Sequence, residues 1–164
     1  MRYSACMQIA TLSVALPTLR HGREIVLLAE QESLETGFGF LDAEHLLVAA
    51  VTLCSGMPRF LDVLDAHGVT PDRVRTASSA FVGAGAPGPV PPDRVTCTPA
   101  AARVLARAAQ LAGPAERVRP HHVLLAVLDG IDDPFTGAAH DVLDGLGVDP
   151  RRFRRALRRA ARRA

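Results

Sequence analysis

The sequence has no lysine and no tryptophan, one tyrosine and only three cysteines among its 164 residues. Cys6, Cys54 and Cys97 are odd in number and widely spaced, with no C-x-x-C pair and no histidine pair at zinc spacing. Neither a disulfide framework nor a metal site is therefore expected. The thiols read as reduced cysteines of a cytoplasmic protein. The shortage of aromatics leaves Leu, Val and Ala to fill the core, which is a helical composition. No stretch approaches the ~20 apolar residues of a membrane span. The opening MRYSACMQIATLSVALPT has a broken apolar run and no A-x-A cleavage site, so residues 1–18 read as an extension and not as a leader. Absent too are G-x-x-x-x-G-K-[ST], G-x-G-x-x-G after a strand, and G-x-S-x-G. Nothing here binds a nucleotide or another cofactor by a recognisable device, and the chain does not read as an enzyme.

What is present is a repeat. Residues 61–77 read LDVLDAHGVTPDRVRTA and residues 140–156 read HDVLDGLGVDPRRFRRA, with ten of seventeen positions identical. Upstream, Glu44-His45-Leu46-Leu47 aligns with His121-His122-Val123-Leu124, at an offset two residues shorter. Each copy of roughly seventy residues is too small for a generous core alone, so the two are expected to pack into one unit. The divisions are an extension at 1–18, a first repeat at 19–82, a Gly/Pro-rich linker at 83–97 and a second repeat at 98–164.

The punctuation predicts four helices per copy, all-α, with no strand. The first runs from Leu19 to about Thr36 with Ile25, Leu28 and Leu34 inward, broadened by Val26, Leu27 and Ala29. Asp42 caps a second, from Ala43 to about Leu53, apolar nearly all round and therefore buried. Pro58 starts a third that ends at His67, with Gly68 as left-handed cap. Thr70-Pro71 starts a fourth, and Pro71 and Pro150 share the first helical position where no amide is missed. In the second copy the starts fall at Thr98-Pro99, at Pro120, after the polar turn Gly130–Pro134, and at Pro150, with Gly147 repeating Gly68. The last helix sets Phe153, Ala156, Leu157, Ala160, Ala161 and Ala164 on one face.

His45 and His122 occupy equivalent positions at the start of the buried helix. No nucleophile, second ligand or orienting carboxylate recurs with them at fixed spacing, so they read as hydrogen-bonded histidines of a helix–loop junction and not as catalytic groups. The acidic turn Asp129–Pro134 lacks the glycine and closing Glu of a calcium loop and reads as surface. Charge is uneven. Residues 151–164 carry eight Arg and no acid, leaving eleven Arg against seventeen acids elsewhere. The basic face, Arg151, Arg152, Arg154, Arg155, Arg158 and Arg159, admits two readings: a solvated face folded partly onto the acidic body, or a binder of nucleic acid or anionic surfaces. With no interleaved aromatics and no reading motif, nucleic acid is not the expected partner.

With these residues assembled, the chain resembles the N-terminal Clp repeat domain of the ClpA/ClpC-type protein-unfolding ATPases. The marks are Glu44-His45-Leu46-Leu47, its counterpart His121-His122-Val123-Leu124-Leu125, the Gly68-Val69 and Gly147-Val148 junctions, and Thr98-Pro99. The resemblance implies a pseudo-twofold bundle of eight helices, here free-standing, that recognises substrates and adaptors, through the groove between its repeats and through helix ends such as Glu44 and Thr98, without catalysing a reaction. Its partners would be a Clp ATPase, adaptors, or unfolded or tagged substrates, and in some relatives cyclic peptide antibiotics. In some relatives each copy also binds phosphoarginine, with a threonine at the start of its first helix and the glutamate before the paired His. Here the first copy keeps Glu44 but has Leu19, and the second keeps Thr98 but has His121, so each copy retains half of such a site.

Overall fold

The computed structural model describes residues 22–37, 39–82, 96–114, 116–130 and 137–162. The extension at 1–18, Leu19, residues 83–95 of the linker, Ile131–Pro134 of the polar turn, Arg163 and Ala164 lie outside them. Among the described residues eight helices follow in order: α1 Gly22–Glu35, α2 Ala43–Ser55, α3 Pro58–Ala66, α4 Pro71–Val82, α5 Pro99–Ala112, α6 Pro120–Asp129, α7 Gly137–Gly145 and α8 Pro150–Arg162. Among the described residues no helix is long and apolar enough to cross a membrane.

The repeat is visible in the packing. α2 and α6, the two helices apolar all round, pack on each other at the centre. α1 covers α2 as α5 covers α6, and the remaining helices cross between copies, α4 against α7 and α3 against α8. This exchange is what a pseudo-twofold axis through the α2–α6 contact produces. The junctions repeat down to single bonds. The Val69 amide donates to Leu64 O at 2.9 Å and the Val148 amide to Leu143 O at 3.1 Å. Gly68 and Gly147 sit at φ +65° and +71°, a region in which Cβ crowds the following carbonyl, which is why both copies keep glycine there. Thr70 Oγ1 accepts from the Arg73 amide at 3.4 Å, and Asp149 Oδ1 accepts from the Arg151 and Arg152 amides at 2.9 and 3.0 Å.

Two expectations need correction. First, the chain has a strand pair. β1 (Phe40–Leu41) and β2 (Thr96–Cys97) run parallel, with Phe40 opposite Thr96 and Leu41 opposite Cys97. Two residues are too short for an alternation to register in sequence, and β2 falls inside the stretch that reads as linker. Second, Leu34 does not face the core. It is 46% exposed and Leu27 53%, while the inward face of α1 runs Ile25, Val26, Ala29, Glu32, Ser33. The two polar residues are tolerated because both are satisfied. Arg75 from α4 chelates both Glu32 carboxylate oxygens through Nε at 3.0 Å, and Ser33 Oγ donates to Phe40 O at 2.7 Å.

Candidate functional site

The strand pair fixes where the chemistry lies. Continuing β2 by one residue brings Thr98 beside the N-terminus of α2, and its amide donates to Leu41 O at 2.9 Å. Its hydroxyl donates to Asp42 Oδ1 at 2.6 Å while accepting from the Ala101 amide at 3.2 Å. Thr98 therefore caps its own helix and ties it to the cap of the other copy. Asp42 in turn accepts from the Ala43 amide at 2.8 Å. The retained halves of the two expected phosphoarginine sites, Glu44 and Thr98, are thus brought to one junction. They meet across the repeats because β1 belongs to the first copy and β2 leads into the second.

Glu44 lies in the first turn of α2, only 1% exposed, and its Oε2 has no hydrogen-bond partner among the described residues. Burial first, and the Asp42 carboxylate second, push its carboxyl up to about 7. His45 closes the same turn. The Asp42 amide donates to its Nδ1 at 3.0 Å, which puts the ring proton on Nε2, 3.3 Å from Thr36 Oγ1. Burial holds this ring below the usual histidine range, so it is a neutral cap and makes no ion pair with Glu44 Oε1 at 4.0 Å. The bond from the N-cap amide to the third helical side chain is that of a capping box, with imidazole in the role that Glu or Gln usually fills.

The second copy repeats the cap and inverts the charge. The Arg119 amide donates to His122 Nδ1 at 3.1 Å. Arg119 now stands where Asp42 stood, and His121 where Glu44 stood. His121 is 6% exposed, stacked on Phe60 at 4.9 Å between centroids, and its Nδ1 lacks a partner among the described residues. Burial, then His122, Arg59 and Arg119, bring its ring down to about 3. Both central helices therefore carry at the same place a buried polar atom without a partner among the described residues, an acid in one copy and an imidazole in the other.

Between the copies lies a cleft of about 640 Å³, lined by Glu24, Leu53, Gly56 and Met57 of the first and Glu116, Arg117, Arg119 and Pro120 of the second. Sequence periodicity could not show it, because its walls come from a helix end and a turn some sixty residues apart. On α8, Phe153, Leu157 and Ala160 are buried, Ala156 and Ala161 lie at the flanks, and the arginines form the outer arc.

The profile of the Clp repeat (R) N-terminal domain matches residues 20–135. Among solved structures, the chain is similar to the N-terminal domain of the Arabidopsis thaliana caseinolytic protease associated chaperone ClpD. The TM-score is 0.64 at 18% identity, over 86% of this chain and 95% of that one. No curated protein sequence matches.

Proposed function

The chain belongs to the Clp repeat (R) N-terminal domain family, and from that membership we propose that it binds protein segments without catalysis, as adaptor, regulator or decoy of a Clp ATPase in ATP-dependent proteolysis. Two surfaces serve the purpose. The inter-copy cleft offers an apolar floor from Leu53, Met57 and Pro120 within a rim of both charges, which suits an extended, mixed-composition segment. Cyclic peptide antibiotics would compete for the same floor.

The second surface is the Asp42–Glu44–Thr98 junction, and it is the observation that carries the reading. Two carboxyls and a hydroxyl from both copies converge there, and one carboxyl oxygen has no partner among the described residues. A guanidinium presents a planar fork of donors matched to such a pair. An arginine or phosphoarginine side chain entering past half-exposed Asp42 would supply the missing partner to Glu44. It would also draw the Glu44 proton off, because a nearby cation favours the carboxylate.

Isothermal titration with unfolded peptides carrying arginine, phosphoarginine or the neutral isostere citrulline tests this. Citrulline is expected to bind at least about tenfold more weakly than the tighter of the other two, a difference of about 1.4 kcal/mol. Below pH ~7 binding should release a proton. Glu44→Gln and Thr98→Ala should each erase the preference. Equal binding of all three peptides would remove the junction from the site. Failure to retain a Clp ATPase, an adaptor or an unfolded client on the immobilised protein would remove the function as a whole.

A further inference from the structure

The arginines of α8 do not all find partners in the fold. Arg154 and Arg158 lean to one flank, where, with Arg107 of α5, they surround the Asp129 carboxylate, itself 8% exposed. Arg152 turns to the other flank and meets Asp149 at 3.3 Å. Four remain on the crest, Arg151, Arg155, Arg159 and Arg162, all exposed. At intervals of four, four and three residues they form one row along the helix, about 16 Å long at one guanidinium per turn. None of the four makes an ion pair among the described residues.

We propose that this row binds the phosphate backbone of nucleic acid without reading its sequence. The chemistry of the face separates this ligand from the other anionic partners. A membrane-surface helix needs a free apolar side to insert. On α8 that side, Phe153, Leu157 and Ala160, is buried against the bundle. A protein interface needs an apolar or aromatic anchor at its centre, and the crest holds only arginine. A phosphodiester chain asks for neither. It asks for regularly spaced cations, and guanidinium is the group best shaped to grip phosphate through two parallel bonds. Asp129 sits at one edge of the arc, and Asp149 stands at the N-terminal end of the row, where Arg155 feels its charge without forming an ion pair.

Neutralising about four phosphates gives a slope of log affinity against log salt near −3.6 for a duplex, hence a loss on the order of 100-fold between about 50 and 200 mM salt. The test is fluorescence anisotropy of the full chain with a labelled duplex DNA and a labelled single-stranded RNA across that range. Replacing Arg151, Arg155, Arg159 and Arg162 together by Ala should flatten the slope to near zero. Their replacement by Lys, which keeps the charge, should preserve it. All four side chains point away from the core, so far-ultraviolet circular dichroism of both variants should match the parent. Tighter binding of duplex than of single strand at equal salt would assign duplex as the natural source of the phosphates, and the reverse order single-stranded RNA, because the slope itself is steeper for a duplex at equal contact number. No binding at the lowest salt, an unchanged slope in the alanine variant, or tighter binding to anionic phospholipid vesicles than to either nucleic acid would each overturn the proposal. None of these results bears on peptide binding at the Asp42 junction or the cleft.

Discussion

Replacing Glu44 by Gln should raise the stability of the protein at neutral pH and leave it unchanged in acid. In the fold the Glu44 carboxyl titrates at about 7 instead of 4.5, because it is buried and faces Asp42. The folded state therefore holds a proton that the unfolded state has released between those values. Stability falls by about 1.4 kcal/mol per pH unit across that window and is level above it. The contribution of neutral Glu44 is fully present below pH 4.5 and is lost as pH rises through about 7. Integrated, the loss is about 3 kcal/mol. Gln imitates the protonated side chain at every pH. Urea denaturation of both proteins at several pH values gives the difference curve, to which His45, His121 and His122 contribute equally and so cancel. It should be near zero at pH 4.5 and rise to about 3 kcal/mol in favour of Glu44→Gln by about pH 8. A flat difference curve would refute the buried, proton-holding Glu44, and with it the claim that an incoming cation displaces a proton there.

Equivalent arginines should not cost the same. Arg75→Ala strands a carboxylate on Glu32, 7% exposed, and should destabilise by about 2 to 3 kcal/mol, whereas Arg154→Ala leaves Asp129 with Arg107 and should cost about 1 kcal/mol, both read by urea denaturation. His45→Ala should lose about 2 kcal/mol through the cap bond and the buried ring, and His45→Gln about half of that, since Gln can reach the Asp42 amide; equal losses would remove the capping role. Gly147→Ala meets no atom within 4 Å and should cost about 1 kcal/mol of left-handed strain. Gly68→Ala should cost more in thermal unfolding, because its Cβ would meet Arg73 Nη1 and dislodge that group from Gly68 O, which it now reaches at 2.6 Å.

Much of the bundle is written in local chemistry. Gly68 and Gly147, Pro71 and Pro150, and the all-apolar runs of α2 and α6 each fix a backbone state through interactions within a few residues, so their repetition announces both the helices and the duplication. The contacts that make the site are of another kind. Thr98 reaches Asp42 across 56 residues, and Arg75 reaches Glu32 across 43. No periodicity encodes either pairing, and none marks Glu32 as inward or Leu34 as outward on α1. The same distance hides the shared junction. Counted by copy, Glu44 and Thr98 fall in separate sites, and the two-residue strand pair with the Thr98–Asp42 bond joins them. The histidines stand between these cases. Their recurrence marks a structural position, while the capping bond that explains it depends on the turn before each helix.

The most direct test of protein binding through the two-copy junction is an amide NMR titration with an unfolded arginine-phosphorylated peptide and its unphosphorylated twin. Shifts clustered at residues 42–45 and 98–101, joined by residues 53–57 and 116–120 along the cleft, are the expected result. Shifts confined to α8, or none with either peptide, would contradict it.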